Sequence, residues 1–346
     1  MEEKNIKIKD LEIKNFKGIK ELKIENLNKI NVFIGDNNSK KTTILEAIAL
    51  MNRYNTDNLK TILLNRKYTT HKNSLDSFFY NLKLKNHPLI VIKDYKNKEQ
   101  KLEILSDHEN SEILEENNTI FTNEEKQELD KISYNYDFLM NDKENVKIEV
   151  IGKNGKLISL KGNSNKVISY IPAGRNLSFF INNLREIQKA KQIDKIIEIS
   201  KKYNTELEKI YLDGENIYVD LKNINKSLSI SSMGEGFISI LTIISNFILT
   251  NCKEKVILID EIENGLYRTK LKELIRFILD FIQENNVQLF ITTHSEEFLR
   301  EFYKLVSEKS NIVNLYRLEN SENGIKTILY SEKEAKEAMA EGWEIR

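Results

Sequence analysis

The chain has 346 residues, 31% of them charged, and its 53 Lys and Arg balance 53 Asp and Glu. That length suits one large or two ordinary domains with a substantial core. Zero net charge excludes a uniformly basic coat for nucleic acid while leaving room for local patches, and one cysteine, Cys252, excludes an internal disulfide framework. Cys252 reads as a small buried apolar residue in a reducing cytosol. The opening residues Met1–Asn5 lack the apolar core of a signal peptide. The longest apolar run, Ile238–Leu249, falls short of the ~20 residues a membrane span needs. Together these readings place the chain in the cytoplasm, with no membrane partner.

Taken in order, Ile6–Ile24 holds two short strands, with Ile8, Leu11, Ile13, Leu22 and Ile24 alternating with charged residues. Ile30–Ile34 is continuously apolar, as a strand inside a sheet must be. A polar loop, Gly35-Asp36-Asn37-Asn38-Ser39-Lys40-Lys41-Thr42-Thr43, leads from it into a helix that carries Ile44, Leu45, Ile48 and Met51 at helical spacing. From Asn52 to Lys85 the pattern supports one short helix around Leu75, Phe78, Phe79 and Leu82. Pro88–Lys93 and Lys101–Leu105 alternate as strands. Ser106–Asn145 is polar, with a helix expected over Asn123–Ile132. Val146–Ile151 and Lys156–Leu160 form a hairpin across Gly152-Lys153-Asn154-Gly155.

Val167–Ile171 is a strand that ends in the turn Pro172-Ala173-Gly174-Arg175. Asn176–Tyr203 reads as one or two helices projecting from the body, without the sustained heptads of a coiled coil. Lys209–Leu221 is a hairpin turning at Asp213–Asn216. Ser231-Ser232-Met233-Gly234-Glu235-Gly236 opens an apolar helix that runs to Leu249. Val256–Ile259 is a buried strand ending in Asp260-Glu261, Arg268–Gln283 an amphipathic helix, and Val287–Ile291 a buried strand ending in Thr292-Thr293-His294-Ser295. Strands alternating with helices imply a mostly parallel sheet, whose ligands bind beyond the carboxyl ends of the strands. Three polar clusters, Gly35–Thr43, Asp260–Glu261 and Thr293–His294, stand at such ends.

The first cluster is one residue away from the phosphate-binding loop G-x-x-x-x-G-K-[ST], with Lys40 where the second glycine belongs. Backbone N–H groups of a loop at a helix N-terminus cradle phosphate oxygens. Lys41 would neutralise phosphate charge and Thr42 would ligate Mg²⁺. Asp260 would hold the same cation, Glu261 would orient or deprotonate an attacking water, and His294 would reach the γ-phosphate or that water. Each piece also has a plainer reading: a solvated strand end for Asp260-Glu261, and a helix cap at Ser295 for the cluster that contains His294. A lysine at position 40 in a left-handed conformation would cost about 1–2 kcal/mol, so the loop is expected to bind ATP with slow hydrolysis.

As a set, the motifs resemble the ABC-type ATPase heads of the SMC, RecF and OLD (overcoming lysogenization defect) group over roughly residues 4–50 and 168–320. Leu11–Ile19 resembles the opening I-x-N-F-[KR]-[GS]-[IF], and Gly35–Thr43 the loop G-x-N-x-S-G-K-[ST]-[ST] apart from Lys40. Tyr170–Arg175 resembles a strand-Pro-x-x-Arg segment of the OLD-like branch. Ser232-Met233-Gly234-Glu235 resembles the signature S-G-G-[QE], with Met233 in place of a glycine. Ile259–Leu266 resembles the branch's D-E-[IP]-E-x-G-L, followed by Tyr267 where the branch has His. Ile291–Ser295 is similar to the H-loop.

The resemblance implies an α/β P-loop NTPase fold of ABC-ATPase type: a mostly parallel central sheet, an antiparallel β subdomain and a short helical insertion. The core would be 1–51 and 168–330, with 52–167 an inserted elaboration, 176–203 projecting helices and 331–346 a C-terminal tail. It implies ATP and Mg²⁺ as cofactors. The homodimer or higher homo-oligomer it implies would have ATP held by Gly35, Asn37, Asn38, Ser39, Lys40, Lys41, Thr42 and Thr43 of one subunit and completed by Ser232, Gly234 and Glu235 of another. No Asp-x-Asp cluster of a Toprim nuclease follows His294, so a separately encoded nuclease or effector is the expected partner, in antiphage defence or the DNA-damage response. Two alternatives stay open: a low-turnover, ATP-dependent scaffold, and direct DNA binding through Lys153, Lys156, Lys161 and Lys166 or through Lys189, Lys191, Lys195, Lys201 and Lys202. The reading of those lysines as solvated surface is the favoured one.

Overall fold

The computed structural model describes residues 8–52, 57–65, 75–107, 133–151, 154–159, 168–175, 177–249, 255–306, 311–321 and 324–341. The expected helix over 123–132, Cys252, the turn residues Gly152 and Lys153, and Lys161, Lys166 and Val167 lie outside them. In chain order the elements begin with β1 (Asp10–Phe16), β2 (Ile19–Ile24), β3 (Ile30–Gly35), α1 (Lys41–Leu50), α2 (Asp57–Asn65), β4 (Leu89–Lys93) and β5 (Glu99–Ser106). They continue with β6 (Ser133–Met140), β7 (Lys143–Ile151), β8 (Asn154–Ser159), β9 (Ile168–Ile171), α3 (Leu177–Lys189), α4 (Ile193–Lys201), β10 (Leu207–Asp213), β11 (Asn216–Leu221) and β12 (Leu228–Ser229). The last are α5 (Glu235–Ile248), β13 (Lys255–Ile259), α6 (Arg268–Glu284), β14 (Val287–Thr292), α7 (Glu296–Leu305), β15 (Val313–Ser321), β16 (Gly324–Ser331) and α8 (Glu332–Ala340).

The chain divides into two compact units, one of residues 1–28, 35–170 and 318–328, the other of residues 29–34, 171–317 and 329–346. The first unit is built on a seven-stranded sheet ordered β2-β1-β4-β5-β6-β7-β8, whose pairs are antiparallel. Alternation does the work here: Leu11 and Ile13 of β1 are buried, and they pair with Ile24 and Leu22 of β2. Its aromatic centre is Phe78, 5.8 Å from Phe16 and 6.3 Å from Phe138, ring centroid to ring centroid.

Of the helix expected around Leu75–Leu82, Leu75 and Asp76 are helical, and a bridge from Phe79 to Phe16 and a 3-10 turn at Tyr80–Leu82 take the place of the rest. Asn81 and Leu82 have positive φ there, which no helix continues through. Strand β6 was concealed in the polar stretch 106–145, although Tyr136, Phe138 and Met140 alternate and are buried. The two-residue β6–β7 turn, Asn141-Asp142, has φ of 51° and 61°, the left-handed pair that a tight hairpin demands.

In the second unit β3, β14 and β13 run parallel side by side, with Val32 opposite Ile291 and Leu258 opposite Phe290. They are the middle of a six-stranded sheet ordered β16-β15-β3-β14-β13-β9. Every residue of these three strands is buried, which explains why the sequence shows continuous apolar runs there instead of alternation. A smaller antiparallel sheet, β10-β11-β12, completes the unit.

Helices α3 and α4 do not project. Phe180, Leu184, Ile187 and Ile196 are fully buried in the core that includes Ile240, Leu241 and Ile244 of α5. Apolar residues at helical spacing on both helices need that cover, and only Lys189, Lys191, Lys195, Lys201, Lys202 and other polar residues of the opposite faces remain exposed. Acidic Glu186, Asp194 and Glu198 are interspersed with those lysines. The segment read as a tail forms α8, opened by a capping box in which Ser331 and Glu334 satisfy one another's backbone N–H groups. Ala335, Ala338 and Met339 anchor it in the core. Among the described residues no helix is long and apolar enough to cross a membrane.

Candidate functional site

The loop after β3 belongs to the first unit and is held by its own groups. Lys41 is buried, and its Nζ donates to Gly35 O at 2.8 Å, Asp36 O at 2.9 Å and Ser39 Oγ at 3.1 Å. The ammonium thus sits inside the curve of the loop. Gly35 has φ of +140°, and a Cβ there would lie 2.4 Å from Leu318 O, so no other residue fits. Ser39 and Thr43 are buried, Thr42 is half-buried, and Asn37 and Asn38 are exposed.

Lys40 is the N-cap of α1 and has φ 67° and ψ 19°, the left-handed conformation expected for the missing glycine. Its Nζ donates to Asn38 Oδ1 at 2.7 Å. The stem lies over Gly18 in the β1–β2 turn, where a Cβ would meet Lys40 Cε at 2.6 Å. A lysine at position 40 is therefore accommodated by a glycine elsewhere, at the residual cost of its backbone strain. Lys40→Gly is expected to remove about 1–2 kcal/mol of that strain and to raise nucleotide affinity or turnover. Titration with a fluorescent nucleotide checks this, and a fall in both quantities would assign Lys40 a role of its own.

Behind the loop, α1 is buried on nearly every side, including Glu46, whose side chain is 0% exposed. Its partner is Lys17 Nζ at 2.7 Å. That ammonium also stands 4.8 Å from the Phe78 ring centroid.

The second unit assembles the acidic turn. Asp260 follows β13 and is buried, and its Oδ1 accepts a hydrogen bond from Thr292 Oγ1 at 2.6 Å. Thr292 Oγ1 also accepts from Glu261 N at 2.8 Å. Glu261 has φ of +45°, a strained backbone for a residue with a Cβ. Glu263 turns the other way: one oxygen accepts from Thr293 Oγ1 and the other from His294 N, each at 2.8 Å. The structure so brings Asp260, Glu261 and His294 onto one hydrogen-bonded framework whose joints are Thr292 and Glu263. Neither joint was assigned a role from sequence, although both lie inside the quoted motifs. Ser295 does cap α7, its Oγ accepting from Phe298 N at 3.0 Å.

Arg175 closes this framework. Nη2 donates to Asp260 O at 3.0 Å and Glu261 O at 2.8 Å. Nη1 donates to Ser239 Oγ at 2.8 Å and Asn264 O at 2.9 Å. Burial pushes the guanidinium down to about 10, against the pull of the Asp260, Glu263 and Glu261 carboxylates, and it stays cationic at neutral pH.

Ile230–Met233 form a 3-10 turn, and the helix starts at Glu235, inside the stretch Ser231–Gly236. Gly234 is the reason: at φ 78° and ψ 153° it cannot be helical. Ser232, Gly234 and Glu235 are exposed at this end, where Glu235 complements the positive end of the helix dipole. A Cβ on Gly236 would lie 2.6 Å from Gly265 O, so the first turn of α5 rests directly on the acidic turn's last residues.

Taken separately, the Thr42 hydroxyl and the Asp260 carboxylate are hard oxygen donors of the kind that suit Mg²⁺. Among the described residues no group of three or more His, Cys, Asp or Glu forms a metal cage.

Comparison with known proteins bears on the family and the fold. The AAA ATPase domain matches residues 6–299. A Helicobacter pylori protein described as an ATP/GTP phosphatase is 28% identical over 334 residues, covering 87% of this chain and 89% of its own length. An uncharacterized Methanocaldococcus jannaschii protein is 43% identical over 82 residues, 22% of this chain and 37% of its own length. An SMC head bound to the C-winged helix domain of ScpA matches with a TM-score of 0.51 at 14% identity, covering 96% of this chain and all of that one (100%). A Pyrococcus furiosus SMC head with an extended coiled coil, bound to the C-terminal domain of ScpA, gives 0.50 at 12% identity and covers 97% and 99%. At such identities the two structures speak for the fold.

Proposed function

The chain belongs to the AAA ATPase domain family, and on that premise we propose that it is a slow Mg²⁺-dependent ATPase of SMC/RecF-like type acting as a nucleotide-gated switch. The observation that carries the reading is the acidic turn: a buried Asp260 followed by a backbone-strained Glu261 at the carboxyl end of a central parallel strand. Lys41 is assigned to phosphate charge, Thr42 and Asp260 to the cation, Glu261 to the attacking water and His294 to the γ-phosphate or that water. The Helicobacter relative's description makes GTP a second nucleotide to test.

We extend the proposal to a head-to-head homodimer in which Ser232, Gly234 and Glu235 complete the partner's nucleotide site. Isolated subunits would then turn over slowly, because half of the electrostatic stabilisation of the transition state is missing. Residues 1–51 and 168–330 would be the ATPase core and 52–167 an inserted elaboration. The OLD-like motifs Tyr170–Arg175 and Ile259–Leu266 favour a separately encoded nuclease or other effector as the gated partner, in antiphage defence or DNA-damage response. DNA is a second candidate ligand.

The test is phosphate release from ATP and GTP by the full chain with Mg²⁺, together with its mass in solution with and without nucleotide. Lys41→Ala is expected to abolish turnover and any nucleotide-dependent gain in mass. Turnover that survives Lys41→Ala would sink the assignment. A second reading, a scaffold with little hydrolysis, draws on the left-handed Lys40 and on Met233 in the signature. Turnover above the low end of the ~1–10³ s⁻¹ typical of enzymes would remove it.

A further inference from the structure

We infer that Arg175 is a positioning residue: it fastens the first turns of α5 to the acidic turn Asp260–Gly265 and holds Glu261 in its left-handed backbone. The inference deepens the proposed function and rests on the reading of Glu261 as the residue that acts on water.

Four of the five guanidinium N–H bonds are spent on four different groups of two segments. Asp260 O, Glu261 O and Asn264 O belong to the acidic turn, and Ser239 Oγ belongs to α5. Nε, buried, has no hydrogen-bond partner, so the fork is committed to that contact set. The arrangement is reciprocal. Asn264 Nδ2 donates back to Ala173 O at 3.0 Å in the turn that carries Arg175, and Ser239 Oγ donates to Asn264 O at 3.2 Å. The close approach of Gly236 to Gly265 O lets α5 come near enough for Ser239 to join.

The consequence falls on Glu261. A residue with a Cβ stays at positive φ only where its surroundings over-determine it. Here Thr292 grips the Glu261 N–H and Arg175 grips the carbonyl, so both faces of the strained residue are held. The carboxylate itself is left to act. A displacement of α5 would be passed through Ser239 and Arg175 to the backbone that aims Glu261. Planarity matters for this, because a lysine ammonium cannot span two acceptors on one side and two on the other in one rigid fork.

Two measurements on the full chain test this. First, Arg175→Met and Arg175→Lys are each expected to lower kcat for ATP by about 10²-fold with KM changed by much less. Rescue by Arg175→Lys would show that only a buried cation is needed and would overturn the inference. Second, a thermal double-mutant cycle reads the strain without any activity. Glu261→Gly is expected to raise the unfolding midpoint by about 2 °C in the natural background, and that gain should vanish when Arg175→Met has already released the turn. The same gain in both backgrounds would overturn the inference. Should Arg175→Met fail to fold, the cycle is run with Arg175→Lys. If Glu261→Gln retains full turnover, the reading of Glu261 fails, whereas the cycle still reports on Arg175.

Discussion

Glu261→Gln is expected to lower nucleotide turnover by about 10²–10⁴-fold, the range over which positioned general bases contribute, and to leave nucleotide affinity nearly unchanged. The structure makes the substitution a clean one. Glu261 is held through its main chain, by Thr292 Oγ1 on the N–H side and Arg175 Nη2 on the carbonyl side. Glutamine has the same shape and the same backbone preferences, so the turn and its strain persist and only the carboxylate charge is lost. Single-turnover hydrolysis alongside equilibrium nucleotide binding separates chemistry from affinity. Turnover equal to that of the natural protein would remove Glu261 from the chemistry.

The second large effect is on stability. Lys17→Met is expected to destabilise the fold by roughly 3–5 kcal/mol, the cost of leaving a buried charge without its partner. Glu46 is 0% and Lys17 11% exposed, with 2.7 Å between Nζ and Oε2. The ammonium is further enclosed by the rings of Phe78, at 4.8 Å, and Phe16, at 5.5 Å. Methionine keeps the length of the stem and fills the same space, and position 17 has φ of 51° whichever side chain it carries. The change therefore reports on charge rather than packing. Chemical denaturation measures it, and the double variant Lys17→Met with Glu46→Leu is expected to recover much of the loss, because two apolar groups of similar volume replace the pair. A loss below 1 kcal/mol in the single variant would show that the pair contributes little. Since α1 begins at Lys41, the same variant should also weaken nucleotide binding.

Much of the second unit is legible along the chain. Val256–Ile259 and Val287–Ile291 are apolar without interruption because strands covered on both faces admit nothing else. The polar residues that follow them had to lie at strand ends. The first unit is harder to read. Its strands alternate, and Tyr134-Asn135-Tyr136-Asp137-Phe138 carries a period-two signal within a stretch whose composition is dominated by charged and polar residues. Helices α3 and α4 looked detached because their exposed faces are rich in lysine, whereas their cover, α5, lies about fifty residues further on in sequence.

By itself, the sequence determined the family and the order of the motifs, and it named the residues to which the proposed chemistry is assigned, because phosphate binding and water activation need particular groups at particular spacings. It also marked Lys40 as the exception in its loop, and a left-handed conformation followed from the glycine it replaces. Only the tertiary structure decided how those residues are held. Gly18, twenty-two positions earlier, makes room for Lys40. Lys17 neutralises Glu46. Arg175, eighty-five positions before Asp260, grips the turn that strains Glu261. These contacts join residues distant in the chain, and neither periodicity nor spacing encodes which buried charge meets which partner.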